Sequence, residues 1–271
     1  MTLFEKAGYI LKNNWFSYLI GLAAILGLKL FYRSADSCEL MWILTPVAWW
    51  VGILSRNTFV NIPHVGYVNH SLQLIIAKSC SGVSFMIIVL AVLIFSYTHR
   101  APSRKKRFLW ISLSFALSYL FTILVNSLRI ILSIYLPSFL ENRDICRNLL
   151  TPDRLHTLIG TAVYFTSLLV IYNFAGWLSF EIAGSFSEIA GSSPDAAKTG
   201  KPLLKTALMK PLRRLVPPAF WYFFMVLGIP LLHNAKNGYE QFAEFALLIT
   251  VVCGIVLGIS YLFALCARRW R

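Results

Sequence analysis

The sequence predicts an all-α, polytopic transmembrane helical bundle of about seven spans. Three observations carry this: an apolar composition, apolar stretches of membrane length, and basic residues gathered between those stretches. Of 271 residues, 58% are hydrophobic and only 13% charged, whereas a soluble domain carries about a quarter charged residues. The mean hydropathy is +0.67. Aromatic residues reach 15%, as expected where amphipathic rings collect at two headgroup levels.

The apolar stretches fall near residues 16–32, 40–54, 83–97, 108–136, 156–174, 219–232 and 242–267. A span needs about 20 mainly apolar residues, within a range of about 17 to 25. Residues 40–54 and 219–232 are short by this measure, and 108–136 is long enough to project beyond the hydrocarbon. Met1 to Asn14 is polar and no small-residue cleavage pattern follows the first apolar run, so that run reads as a first span with no removable signal peptide.

A net charge of +14 raises the question of nucleic acid, but the Lys and Arg residues sit in loops. Arg100, Arg104, Lys105, Lys106 and Arg107 form one cluster, Lys198 through Arg214 a second, and Arg268, Arg269 and Arg271 a third. Such clusters beside spans are topology signals, and they place 98–107, 176–218 and 268–271 in the cytoplasm. Residues 56–82, 126–155 and 233–241 then face outward, the chain is a multi-pass protein of the inner (plasma) membrane, and its C-terminus is cytoplasmic. Two full spans before an outward 56–82 put the N-terminus outside despite Lys6 and Lys12. Either Lys29 and Arg33 hold the inner end of the first helix, or one of the first two segments does not cross.

Ala183–Lys201, rich in Gly, Ser and Ala, reads as a flexible linker. It divides the chain into a transmembrane core at 1–175, a basic cytoplasmic linker at 176–218 and a C-terminal transmembrane hairpin at 219–271. The five Cys residues (38, 80, 146, 253 and 266) include no CxxC and no Cys/His zinc spacing, which indicates neither a metal site, a cofactor nor a disulfide framework.

Polar residues at the outer helix ends carry the chemistry. Cys80 begins the third span, where free N–H groups and the helix dipole would stabilise a thiolate. The same residue also suits a small packed position at a helix end, or a disulfide to Cys146. Arg129 lies among Leu128, Ile130 and Ile131, where a guanidinium must pair, snorkel to headgroups or face a wet cavity. Asn126, three residues earlier, shares its helical face. His156 follows Thr151-Pro152-Asp153, with Thr151 suited to N-cap and Pro152 to the first helical position. A lone interfacial His is often just a satisfied polar residue, and His64 and His70 compete for its role. Because successive spans reverse direction, Cys80, Arg129 and His156 are expected on one face, and a nucleophile, a base and a cation together meet the requirements of acyl transfer.

At these residues the sequence resembles the exosortase/archaeosortase family. The resemblance rests on Ala77-Lys78-Ser79-Cys80-Ser81-Gly82, Asn126-Ser127-Leu128-Arg129-Ile130, and His156 with Gly160, within residues 60–175. It implies a cysteine transpeptidase or protease with Cys80 as nucleophile, His156 as general acid and base, and Arg129 as oxyanion or substrate-carbonyl ligand, supported by Asn126, Ser81 and Gly82. It further implies substrates that are exported proteins with a C-terminal tripartite tail of motif, transmembrane helix and basic cluster. They are cleaved through a thioester and passed to a surface acceptor, a lipid or polysaccharide. The competing classes are a non-catalytic transporter or membrane scaffold, whose inverted repeats and interrupted helices are not seen, and a lipid or polysaccharide acyltransferase in which His156 acts without Cys80.

Overall fold

The computed structural model describes residues 3–141, 152–184, 215–234 and 239–269. The chain is mostly helical: α1 (Leu3–Ser34), α2 (Met41–Ser55), α3 (Val83–Tyr97), α4 (Arg104–Glu141) and α5 (Pro152–Gly184). Two more follow: α6 (residues 215–234), interrupted by a π turn at Phe224–Gly228, and α7 (Tyr239–Arg269). Five segments are long and apolar enough to cross a membrane, namely Lys12–Ser34, Lys78–Arg100, Arg104–Pro137, Arg154–Ser179 and Phe242–Cys266. Large apolar side chains on their outer faces support this transmembrane character: Phe108, Leu120, Ile259 and Phe263 are all more than half exposed, as lipid contact permits and water disfavours.

About seven spans are expected, and two of the apolar helices, α6 and α2, are shorter than these five; the shortest is α2. Its 15 residues reach roughly 22 Å at the helical rise, short of a hydrocarbon layer about 30 Å thick. Both of its flanking segments also lie at one end of the bundle. Before α2, Lys78 Nζ donates to the carbonyls of Arg33 and Ala35, at 3.1 and 2.6 Å. Beyond α2, His64 meets Asp36. The chain before and after α2 therefore meets at one end of the bundle.

Hydrogen bonds define the opposite end as well. Arg107 Nη1 donates to the Asn13 carbonyl at 3.2 Å, and Arg100 Nη1 to Ser179 Oγ at 3.2 Å. The start of α1, both sides of the α3–α4 turn and the far part of α5 thus share one end, and Arg33, Lys78, Arg129 and His156 share the other.

The all-α class is supported, with one small addition between α2 and α3. Three short antiparallel strands, β1 (Val60–Ile62), β2 (Gly66–Asn69) and β3 (Leu74–Ile76), form a sheet in the order β1-β2-β3. Its register pairs Asn61 with Tyr67 and Tyr67 with Ile76. Asn69 stitches the turns, donating from Nδ2 to the Thr58 carbonyl and accepting the Leu72 N–H, both at 2.7 Å. β3 leads into a 3-10 turn at Lys78–Cys80 and from there into α3.

α3 is apolar all round, as a helix enclosed by others must be, and twelve of its residues are buried. Phe85, Val89 and Leu93 pack with Phe165 and Leu168 of α5, Tyr222 of α6 and Ile249 of α7. Its other face, with Leu90 and Ile94, meets Ile43 and Leu44 of α2 and Ile111 and Ile123 of α4. The C-terminal hairpin is consequently packed on the helical core rather than standing apart, and α5 continues past the boundary at 175 expected from the sequence. Residues 185–214, most of the basic linker, lie outside the described residues.

Candidate active site

Gly82 caps α3 with φ +77°, in the left-handed region that glycine enters without steric cost. A side chain here would also meet Asn126, since a Cβ would lie 2.9 Å from Asn126 Cγ. The absent side chain lets α4 approach the turn that carries Cys80. Asn126 is completely buried, and its Nδ2 donates to the Cys80 carbonyl at 2.6 Å.

From Asn126 the hydrogen bonds run onward between α4 and α5. Tyr164 Oη donates to Asn126 Oδ1 at 2.7 Å and accepts from Arg129 Nη1 at 3.2 Å. Arg129 Nη2 lies 2.6 Å from His156 Nε2. A guanidinium can only donate, so Nε2 is the acceptor and the neutral ring carries its proton on Nδ1. Gly160 gives Arg129 room, as a Cβ there would stand 3.3 Å from Nε, and Nε itself has no hydrogen-bond partner among the described residues. The Tyr164 ring lies beneath the guanidinium, 5.3 Å from its centre, and stacks on Phe85 with centroids 4.4 Å apart. This arrangement pairs an otherwise expensive cation near the membrane.

The structure thus brings Arg129, His156 and Asn126 together and ties them to Cys80 through its main chain. The Cys80 thiol is placed differently. It is free and half-buried, its one hydrogen-bond contact among the described residues is Ser79 Oγ at 4.0 Å, and no hydrogen bond joins it to His156. The expected disulfide alternative is not formed at Cys80, and Cys146 lies outside the described residues. Ser81 is buried and its Oγ accepts the Val83 N–H at 3.4 Å, so it shapes the turn. α5 begins at Pro152, as the proline-first pattern predicts; Thr151 lies outside the described residues.

A cavity of about 280 Å³ opens over Arg129 and His156, with Ser79 and Gly82 in its lining but not Cys80, and with Tyr222, Phe245 and Ile249 closing it from the C-terminal helices. It borders an apolar groove of about 860 Å³ between α1 and α6, the two sharing Tyr32, Ser84, Ile88 and Val226. His64 and His70 line neither. Sequence reasoning missed Tyr164 and the α6 and α7 residues. A hydroxyl in the middle of an apolar helix, eight residues after His156, was the available signal for Tyr164, because such a group needs a partner. Nothing local marks the others.

The cysteine spacing gave no metal signal, but the fold gathers Asp36, Cys38 and His64, with one donor atom of each within 4.8 Å of the others. Comparison of the chain with protein-family models, curated proteins and solved structures finds no match.

Proposed function

We propose that this chain is a membrane-embedded cysteine transpeptidase or protease of the exosortase/archaeosortase type. The observation that carries the reading is the unbroken hydrogen-bond path from the His156 ring through Arg129, Tyr164 and Asn126 to the Cys80 carbonyl. It joins a base, a cation and a nucleophile-bearing turn from three different helices at one end of the bundle.

In the reaction, Cys80 Sγ attacks the scissile carbonyl carbon while His156 takes the thiol proton. The C–N bond then breaks, the leaving amine receives that proton from His156, and the acyl group remains on sulfur as a thioester. Water, or an acceptor hydroxyl or amine, attacks the thioester and regenerates the thiol. In the resting arrangement the His156 lone pair is engaged by Arg129 Nη2. A substrate carbonyl oxygen that draws Nη2 toward itself frees Nε2 for the thiol proton and receives the guanidinium as its oxyanion ligand. The reaction requires rotation about the Cys80 Cα–Cβ bond to turn the sulfur toward the cavity that Ser79 and Gly82 line. No cofactor or metal takes part in these steps.

The topology follows the same reading. With α2 returning to its own side, six helices (α1 and α3 to α7) cross the plasma membrane, both termini are cytoplasmic, and Lys6 and Lys12 fall inside with every basic cluster. The site then faces outward, where the exported protein's tail arrives.

A second reading, an acyltransferase that uses His156 without Cys80, draws on the absence of Cys80 from the cavity lining. Co-expression with a tailed substrate separates the two. Cys80→Ala and Cys80→Ser are expected to leave the substrate uncleaved in the membrane. Undiminished cleavage in Cys80→Ala excludes the thiol mechanism.

A further inference from the structure

One cluster outside the site has the chemistry of a ligand shell. Asp36 and Cys38 lie on the connection between α1 and α2, and His64 on the turn between β1 and β2. Their donor atoms, a carboxylate oxygen, a thiol sulfur and an imidazole nitrogen, all fall within 4.8 Å of one another. From these residues the geometry points to a binding site for a zinc-class divalent cation, held by Asp36, Cys38 and His64 with a fourth position open to solvent.

Separate observations support the shell. His64 has φ +63°, a left-handed backbone that non-glycine residues adopt at a cost and that recurs at ligand clamps. That conformation aims two groups at once. Its Nδ1 meets Asp36 Oδ2 at 2.6 Å, and its backbone N–H donates to Cys38 Sγ at 3.2 Å, the kind of outer contact that orients a thiolate ligand. Asp36 Oδ1 is already engaged by the Ser37 N–H at 2.7 Å, leaving Oδ2 to ligate.

The donor set selects the metal. Calcium and magnesium take oxygen ligands, whereas thiolate with imidazole and carboxylate suits zinc, and three protein ligands leave one coordination position free. Zinc–ligand bonds of about 2.0 to 2.3 Å place tetrahedral donors roughly 3.3 to 3.6 Å apart. The His64–Asp36 contact therefore opens by about 0.7 Å as the cation replaces the shared proton, and the thiol proton is released with it. The His64 and Asp36 side chains are 79% and 51% exposed, which gives the cation a path in.

Such an ion ties the β1–β2 turn to the end of α1. β3 of the same sheet runs directly into the Lys78–Cys80 turn, so the clamp steadies the segment that presents Cys80. The inference does not depend on the proposed reaction.

The test uses the full-length protein, purified in detergent under reducing conditions and titrated with Co²⁺. One equivalent is expected to raise a thiolate-to-cobalt charge-transfer band that Zn²⁺ then bleaches. Cys38→Ser is expected to abolish the band, His64→Ala to weaken binding at least tenfold, and Cys266→Ser, which removes another exposed thiol, to change neither. Absence of the band in the wild type, its survival in Cys38→Ser, or unaltered affinity in His64→Ala overturns the proposal. His64 is surface-exposed, so its variant keeps the test decisive if Cys38→Ser fails to fold.

Discussion

Tyr164→Phe removes a single oxygen and tests the link on which the site's architecture rests. The ring remains, with its stack on Phe85 and its place under the Arg129 guanidinium. Lost are the 3.2 Å bond accepted from Arg129 and the 2.7 Å bond donated to Asn126. On the soluble-protein scale, a bond to a charged group contributes about 1.5–3 kcal/mol and a neutral one about 0.5–1.5 kcal/mol. Between membrane helices, measured couplings average about 0.6 and reach about 1.7 kcal/mol, because separated helices find other partners. The membrane scale governs here, since the three side chains stand on two neighbouring spans. The longer bond belongs near the average and the shorter near the maximum, which gives a loss of about 2 kcal/mol. Asn126 is fully buried, so water does not replace the missing oxygen. Reversible unfolding in mixed micelles measures the loss for Tyr164→Phe, Asn126→Leu and the double variant. The coupling energy of that cycle is expected to be at least about 1 kcal/mol. Additivity within about 0.5 kcal/mol would show that the two side chains act independently, and the connection from Arg129 to the Cys80 carbonyl would fall with it.

Other substitutions probe the neighbouring geometry. Arg129→Lys is expected to slow cleavage of a tailed substrate by about 100-fold or more, the scale of losing an oxyanion donor, because one ammonium cannot serve Tyr164 and His156 together; wild-type turnover in a pulse-chase assay removes Arg129 from the mechanism. Gly160→Ala asks Arg129 Nε to yield only a few tenths of an ångström and should retain most activity, whereas Gly160→Val pushes a branched side chain into the guanidinium and should abolish it; equal rates in the two variants refute the close approach. Gly82→Ala combines a left-handed backbone with a contact against Asn126, costing about 2–4 kcal/mol from conformational strain and overpacking, and an unchanged melting temperature would contradict the turn described here.

Most of the helices were legible because they carry their own signals: a long apolar run, a proline at the first position of α5, and basic residues gathered between the runs. Arg129 and Asn126 announced themselves as polar groups among aliphatic neighbours, three residues apart on one helix. The sheet was not legible. Its strands are three or four residues long, too short for alternation to emerge from a polar connection. The shortness of α2 was visible only as a conflict between charge and span parity, and contacts made by Lys78 and His64 with the end of α1 bring the chain before and after it to one end of the bundle. Tyr222, Phe245 and Ile249 close the cavity from helices far away in sequence, and the trio Asp36, Cys38 and His64 meets across a turn and a loop. Such proximity arises from packing, and no spacing rule records it.

Under the proposed topology, the length of α4 sets the depth of Arg129 in the bilayer. From Arg107, which touches the start of α1, the helix climbs roughly 33 Å to Arg129, slightly more than the ~30 Å thickness of the hydrocarbon. On the proposed topology, with Arg107 at the inner boundary, Arg129 reaches the far headgroup level, where bulk water and lipid-borne hydroxyls or amines arrive together. A site at the bilayer midplane would meet only dissolved apolar molecules. Under the proposed reaction, release to water or transfer to a membrane-held acceptor would be decided by which nucleophile reaches the thioester first, with the surroundings rather than the catalytic residues determining the product.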